Sequence, residues 1–309
     1  MAAICSCTDG IINFGQPNCV PSFGRDSRLI FVNYSDDSGA VNSIKSTDTL
    51  DQTYFDGKFN ATDLSQRWYL TDTINNVVGV REDNITQDID TIPFNVRQGN
   101  RMYDGTFYGT IASPTFERAL ESMSCQTMGF FIVDVAGSII GMDNQTTGDL
   151  DPIKIQRNTF QFKYTFPSAT EVQNINVKFM IEENEQDSDL SFIGSDNISV
   201  DLLTQKAMST VVLGTAANIT ATTFETAITF TYGQQFQKEA YEGALVGDFS
   251  LFNETTSSAV VVSAAPESPA GTYTITYAAQ TAADVLKLSY QKVSGTGFES
   301  VVDLEIIAV

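Results

Sequence analysis

The fold is decided by a stretch that reads Met128-Gly129-Phe130-Phe131-Ile132-Val133-Asp134-Val135-Ala136-Gly137-Ser138-Ile139-Ile140-Gly141-Met142. Two apolar runs flank the dipeptide Ala136-Gly137, and both are rich in the β-branched and aromatic residues that favour strands. Glycine adopts the backbone conformations that tight hairpin turns require. The stretch therefore predicts an antiparallel β-hairpin with its turn at Gly137.

Two later segments alternate polar and apolar residues with a period of two. They are Thr159-Phe160-Gln161-Phe162-Lys163-Tyr164-Thr165-Phe166 and Ile175-Asn176-Val177-Lys178-Phe179-Met180-Ile181. A strand turns successive side chains to opposite faces, so each segment predicts a strand with one covered face and one polar face. We therefore expect residues 27–198 to form an antiparallel β-sandwich or barrel.

One segment before the hairpin carries the signals of a helix. Ser113 is a favourable N-cap residue, and Pro114 follows at the first helical position, where its missing N–H costs nothing. An apolar stripe with helical spacing follows, made of Phe116, Ala119, Leu120 and Met123. The spacing predicts one α-helix that lies across a face of the sheet.

A long polar stretch from Asn42 to Thr73 shows little periodicity and holds the single tryptophan, Trp68, beside Tyr69. Segments of this length without regular structure are unusual inside a compact domain. We expect residues 42–70 to form a loop that reaches a neighbouring subunit.

The composition changes between Ser195 and Lys206. Beyond this point the chain loses charge and fills with Ser, Thr, Ala and Val in short alternating runs, which is typical of a β-sandwich. The segment Ser268-Pro269-Ala270-Gly271-Thr272-Tyr273-Thr274-Ile275-Thr276-Tyr277 resembles the strand pair of bacterial and phage immunoglobulin-like (Ig-like) modules. We therefore expect residues 206–309 to form an Ig-like β-sandwich, without a disulfide because this part contains no Cys.

The chain contains no histidine. Histidine most often transfers protons near neutral pH, so its absence argues against the commonest hydrolase, proton-relay and zinc-site designs. Carboxylates alone can hydrolyse glycosides, but no spacing singles out a pair among Asp83, Asp88, Asp90 and Asp104. The sequence also lacks a nucleophile elbow, a phosphate-binding loop and a dinucleotide fingerprint. We expect neither enzymatic activity nor a cofactor.

Acidic residues outnumber basic ones by 38 to 17, which gives a net charge of −21. The excess is concentrated before Lys206, where 28 acids face 13 bases. Such a surface repels phosphate backbones, which disfavours groove binding but suits a protein that lets DNA pass without adhering. The sequence shows no transmembrane stretch and no export signal, so we expect no membrane partner.

Three of the four cysteines, Cys5, Cys7 and Cys19, lie near the N-terminus, and Cys125 lies far downstream. Four thiolates could hold a tetrahedral metal ion, and the sequence offers no other metal constellation. Zinc sites of this kind usually show two close Cys pairs, so reduced thiols that act as small apolar side chains are the favoured interpretation. On that interpretation residues 1–26 form an N-terminal arm that packs on a neighbour.

Two acidic clusters are candidates for a lumen or an outer surface. The first comprises Glu82, Asp83, Asp88 and Asp90, and the second comprises Glu182, Glu183, Glu185, Asp187 and Asp189. The second cluster could form a calcium loop, but it lacks the glycine turn and the ligand spacing of an EF-hand. A solvated loop is the alternative for each cluster.

Several segments resemble structural proteins of tailed phages and prophages of Bacteroidetes hosts. They are Met1-Ala2-Ala3-Ile4-Cys5-Ser6-Cys7, Pro17-Asn18-Cys19, the core from Arg97-Gln98-Gly99 to Phe130-Phe131-Ile132-Val133-Asp134, and Ile139-Ile140-Gly141-Met142. The resemblance lies in the general layout of about the first two thirds of the chain. In organisation the chain is also similar to siphophage tail tube proteins, which combine a β-sandwich tube domain, one helix, inter-ring arms and a C-terminal Ig-like domain.

The resemblance implies a virion structural protein, made in the host bacterial cytoplasm, whose copies assemble into stacked hexameric rings. These rings would conduct DNA without binding it specifically, and other virion proteins would be further partners. Cys5, Cys7, Cys19, Trp68 and Tyr69 are then candidate assembly residues. A capsid decoration or head-tail connector protein would share the arm and the Ig-like module, and a carbohydrate-binding adhesin would instead expose a row of aromatic side chains.

Overall fold

The computed structural model describes residues 24–89, 92–97, 99–109, 112–206, 208–233, 238–292 and 297–309. Cys5, Cys7, Cys19, Asp90 and most of the predicted N-terminal arm therefore lie outside the described residues. The described residues form mainly antiparallel β-structure, which confirms the predicted fold class. The chain divides into two compact units: unit 1 ends at Lys206, and unit 2 runs from 207 to Val309.

The described part of unit 1 combines strands with two α-helices. In chain order the elements are β1 (Asp26–Asn33), α1 (Gln52–Phe59), β2 (Trp68–Leu70), β3 (Asn75–Arg81), β4 (Ile85–Ile89), β5 (Ile92–Arg97), β6 (Arg101–Tyr108), α2 (Pro114–Met123), β7 (Met128–Asp134), β8 (Ile139–Asn144), β9 (Asp149–Asp151), β10 (Ile153–Lys154), β11 (Gln161–Thr165), β12 (Asn174–Ile181) and β13 (Leu190–Ile193). Short 3-10 turns cover Asp187–Asp189 and Ser195–Asn197.

Two sheets form the body of unit 1. The larger has the order β13-β8-β7-β1-β2, with β9 beside β8 and β10 beside β7, and the smaller has the order β11-β12-β6-β3. A bridge between Ile155 and Ile181 joins the sheets on one side. On the other side the chain passes directly from β2 into β3, where the Ile74 N–H donates to the Ser27 carbonyl at 2.8 Å. The result is a barrel-like body.

The core of unit 1 lies between the two sheets and is rich in aromatic rings. Tyr103 stacks on Phe179 with ring centroids 5.2 Å apart, and Phe130 meets the edge of Phe179 at 5.0 Å. Leu120 of α2 is buried in the same cluster. Offset and edge-to-face packing of this kind stabilises a core beyond its buried area alone.

The hairpin and the helix predicted from local signals are confirmed. Strands β7 and β8 pair in the antiparallel sense, and Gly137 has a φ of 82° at the turn. In α2 the Ser113 side chain accepts a hydrogen bond from the Phe116 N–H at 3.2 Å, and Pro114 occupies the first turn.

The prediction of a loop at residues 42–70 is wrong, because the segment contains helix α1 and strand β2. The Asp51 side chain caps this helix by accepting from the Tyr54 N–H at 2.9 Å. Its two buried residues, Phe55 and Phe59, cover the face of the larger sheet that points away from the core. The polar stretch thus covers the outer face of the larger sheet.

Unit 2 is a β-sandwich of short strands. They are β14 (Ser209–Leu213), β15 (Thr223–Gly233), β16 (Lys238–Ala240), β17 (Phe249–Asn253), β18 (Ser258–Val260), β19 (Val262–Ala264), β20 (Thr272–Tyr277), β21 (Val285–Lys292), β22 (Phe298–Ser300) and β23 (Leu304–Ile307). Alternate residues of β20 and β21 are buried in a shared core. Within it the Tyr290 hydroxyl donates to the Tyr241 hydroxyl at 3.0 Å.

Candidate assembly surface

The smaller sheet of unit 1 continues into a projecting β-ribbon. The last pair of the sheet is Arg81 with Arg101, and the first pair of the ribbon is Ile85 with Arg97. Between them the Glu82 N–H donates to the Asn100 carbonyl at 2.9 Å. Strands β4 and β5 pair only with each other among the described strands. We call the described part of residues 82–100 the hairpin arm.

Gly99 permits the tight crossing at the root of the hairpin arm. A Cβ atom at this position would overlap the backbone carbonyl of Glu82. The Gly99 N–H donates to the Asn84 side-chain oxygen at 3.2 Å. Any side chain here would have to displace backbone, so glycine fixes where the hairpin arm leaves the sheet.

The hairpin arm exposes large apolar side chains. Ile85 is 49% exposed, Phe94 50% and Val96 61%. An isolated two-stranded hairpin is marginally stable in water, and clustered exposed apolar side chains often mark interaction sites. Because unit 1 has its own well-packed core, these side chains form a candidate docking surface.

The opposite end of the same sheet carries a second apolar surface. There β11 and β12 pair at Thr165 and Asn174, and the intervening loop exposes Phe166 by 78% and Val172 by 59%. Tyr108, at the end of β6, is also exposed beside Asn174. The sheet therefore has an apolar arm at one end and an apolar loop at the other.

The second acidic cluster is tied to the strands from which the hairpin arm leaves. Arg81 Nη1 lies 2.7 Å from one carboxylate oxygen of Asp187, and Arg101 Nη2 lies 2.8 Å from the other. Arg101 Nη1 also donates to the Glu185 carbonyl at 3.1 Å. Burial raises the pKa of Glu185, although Lys154 and Arg101 oppose that shift. This loop is therefore held by ion pairs, not merely solvated.

Part of the second acidic cluster lines a cleft at this end of the sheet. This cleft of about 340 Å³ separates the root of the hairpin arm from the acidic loop, and its walls include Arg81, Asn100, Arg101, Glu182 and Glu183. Glu82, Asp83 and Asp88 are exposed on the arm, and Asp189 is half-buried. Arg81 and Arg101 also line this cleft and offset part of its negative charge.

The other candidate assembly residues have different surroundings. Trp68 is fully buried, with its ring centroid 5.2 Å from that of Phe131, so we revise its assignment from docking residue to core residue. Tyr69 is partly buried against the barrel core. Cys125 is an exposed free thiol. Among the described residues no group of three or more acids, cysteines or histidines is placed to hold a metal ion.

The docking surface of the hairpin arm was not among the sites predicted from the sequence. The signal that could have found it is weak: in Ile85-Thr86-Gln87-Asp88-Ile89 the two isoleucines fall on the same face of a strand, with polar residues between them. That pattern does not reveal whether the second strand of a ribbon belongs to a larger sheet, because pairing is decided by distant residues.

No protein-family model matches this chain, and no curated protein matches it. Within the described ranges no helix has the length and apolar character needed to cross a membrane.

Proposed function

We propose that this chain is a virion structural protein, a tail tube subunit whose copies assemble into stacked rings around a DNA-conducting channel. The observation that carries the proposal is the smaller sheet of unit 1. Among the described strands, its outer members β3 and β11 each pair on one side only. An unpaired edge presents backbone N–H and C=O groups to any strand that can complete the ladder.

The directions of the strands favour pairing between copies. Every neighbouring pair in the order β11-β12-β6-β3 is antiparallel, so β3 and β11 run in opposite directions. Strand β3 of one copy can therefore continue the same alternation against β11 of the next. Such a contact joins two different edges. Repeated contacts of this type close into a ring when a whole number of the rotations between neighbouring copies makes a full turn. The resemblance to tail tube proteins implies six copies.

Charge and surface composition agree with this role. The part before Lys206 carries 28 acids against 13 bases, which suits passage of DNA without adhesion. Strand β3 exposes Val78 and Val80 beside its free edge. Natural monomers usually protect edge strands with charged residues, particularly lysine, so an apolar edge is more typical of a strand that is covered in an assembly.

Lysine substitutions on β3 test the proposal. Val78→Lys with Val80→Lys should abolish ring formation in negative-stain images and light scattering, because the charges block edge pairing while both side chains are already exposed. Leu64→Lys, at an exposed apolar residue outside the sheet, is the matched control and should still assemble. Assembly of the Val78→Lys/Val80→Lys variant at wild-type level would contradict the proposal. If the wild-type protein formed closed assemblies of fixed size that do not stack, a capsid decoration or connector role would be favoured instead.

A further inference from the structure

We propose that a cavity between the two sheets of unit 1 binds a small organic amine, a ligand with an apolar body and an ammonium group that pairs with Asp26. The cavity has a volume of about 270 Å³ and takes its lining residues from both sheets. It shares Arg81 and Arg101 with the cleft beside the acidic loop. This inference goes beyond the proposed function and does not depend on assembly.

The walls of the cavity are mostly apolar. Much of their area comes from branched aliphatic side chains, namely Ile132, Ile140, Ile153, Ile181 and Leu190. The rings of Tyr103 and Phe130 add an aromatic part. Walls around an unfilled apolar space lose dispersion contacts, which an apolar ligand restores. An apolar cavity of about 150 Å³ holds benzene, so this cavity accommodates a body of about ten non-hydrogen atoms.

Asp26 supplies the cavity with a carboxylate that has no cationic partner. It accepts a hydrogen bond from the Tyr103 hydroxyl at 3.0 Å, and within the described residues it forms no ion pair. Burial raises the pKa of Asp26, the Tyr103 hydrogen bond lowers it and the Asp134 carboxylate raises it, and no Lys or Arg of the described residues contributes. An ammonium group would favour the ionised carboxylate and offset its desolvation.

The neighbouring carboxylate, Asp134, is bound by backbone groups. It lies opposite Asp26 in the pairing of β1 with β7. Its Oδ1 accepts from the N–H groups of Ala136 at 2.8 Å and Ser138 at 2.9 Å, and its Oδ2 accepts from the Gly24 N–H at 3.2 Å. These donors carry no net charge, so the two carboxylates together favour a cation beside them.

The two arginines of the cavity do not favour an anionic ligand. Arg81 lies 2.7 Å from one oxygen of Asp187, and Arg101 lies 2.8 Å from the other. Glu182 and Glu183 line the adjoining cleft beside the same arginines. An anion would therefore meet acids as well as bases here, whereas a cation is attracted at long range by the net charge of −21.

A series of ligands with similar apolar bodies and different charges tests the inference. The series consists of 2-phenylethylammonium, 2-phenylethanol and phenylacetate. Isothermal titration calorimetry of the full-length protein at neutral pH should show one ammonium site per chain with a Kd below about 1 mM. The alcohol should bind about tenfold more weakly, and the anion more weakly still. Tightest binding by phenylacetate would overturn the inference, and so would the absence of ammonium binding at millimolar concentrations.

Removal of the Asp26 charge tests the contact with the ammonium group. Asp26→Asn keeps an acceptor for the Tyr103 hydroxyl, so it should weaken ammonium binding about tenfold and leave the affinity for the alcohol unchanged. Asp37→Asn, at an exposed acid, is the matched control and should bind the ammonium as the wild type does. Equal ammonium affinities of Asp26→Asn and the wild type would contradict the pairing.

A larger side chain in the cavity tests where the ligand binds. Leu190→Trp should fill the cavity and abolish binding of both the ammonium and the alcohol, whereas Leu64→Trp, at an exposed leucine outside the cavity, should bind both. Circular dichroism shows whether each variant is folded, and a folded Leu190→Trp that still binds the ammonium would overturn the inference. Ammonium binding by a protein that stays monomeric would support this inference and contradict the tube, and rings without ammonium binding would do the reverse.

Discussion

The Tyr103 hydroxyl donates a hydrogen bond to the Asp26 carboxylate at 3.0 Å, which joins the two sheets of unit 1 across the barrel core. Burial raises the pKa of Asp26, and the neighbouring Asp134 carboxylate raises it further, although the hydrogen bond from Tyr103 partly opposes these effects. An ionised Asp26 is therefore less favourable in the folded protein than in the unfolded chain.

The sign of the pH dependence follows from linkage. Because the folded pKa is raised, the contribution of Asp26 to stability is fully present below the unfolded pKa, about 4, and is lost as pH rises through the folded value. Asp26→Asn removes this loss and keeps a hydrogen-bond acceptor for Tyr103. The stability of Asp26→Asn relative to wild type should therefore rise between pH 4 and pH 7 in urea unfolding. Asp37→Asn, at an exposed acid, is the control, and a pH-independent difference for Asp26→Asn would contradict the prediction.

Trp68 is expected to contribute strongly to the stability of unit 1. It packs on Phe131 and on Phe55 of α1, and its indole N–H has no hydrogen-bond partner within the described residues. Trp68→Ala should cost about 3–5 kcal/mol because it leaves a large cavity. Trp68→Phe should cost much less, since it keeps a ring and removes the unpartnered N–H. Chemical denaturation followed by circular dichroism measures both, and equal costs would contradict this packing role.

Arg28 is expected to stabilise unit 1 through hydrogen bonds to backbone carbonyls. It is buried, and its guanidinium donates to the carbonyls of Thr71 at 2.7 Å, Leu202 at 2.8 Å and Gln205 at 2.7 Å. Arg28→Met leaves these buried acceptors unpaired and should destabilise unit 1 by about 3 kcal/mol. Arg28→Lys keeps the charge but cannot match the planar fork of the guanidinium. It should therefore destabilise unit 1, but by less than Arg28→Met does. The fluorescence of Trp68, the only tryptophan, reports unfolding of unit 1. If Arg28→Met were as stable as the wild type, this role of Arg28 would be contradicted.

Elements with local signals could be predicted from the sequence, and elements that depend on distant partners could not. The cap at Ser113 and the turn at Gly137 act within a few residues, and both appear as expected. Helix α1 was not predicted because its sequence contains Gly57 and only two buried residues, Phe55 and Phe59. Phe55 packs on Trp68, which packs in turn on Phe131, and both partners come from other parts of the chain, so no local pattern reveals the packing.

The candidate site was predicted only in part, for the same reason. Acidic residues at 82–88 and 182–189 were identified by composition, but the pairing of Asp187 with Arg81 and Arg101 depends on the register of β3, β6 and β12. In unit 2 two short strands follow each other, β22, which ends at Ser300, and β23, which begins at Leu304. Strand β22 pairs in parallel with β14, a long-range contact.

Removal of unit 2 should leave assembly intact. Units 1 and 2 have separate hydrophobic cores, and the strand edges and the hairpin arm all belong to unit 1. A chain that ends at Lys206 should therefore fold and form the same rings as the full chain in negative-stain images. A folded truncated chain that remains monomeric would show that unit 2 supplies ring contacts.

The central claim is that this chain is built to assemble, and imaging of the purified full-length protein by electron microscopy tests it most directly. Rings with a central opening, stacked into tubes at higher concentration, are the predicted result. Particles that remain 33.7 kDa monomers across the accessible concentration range would contradict the account.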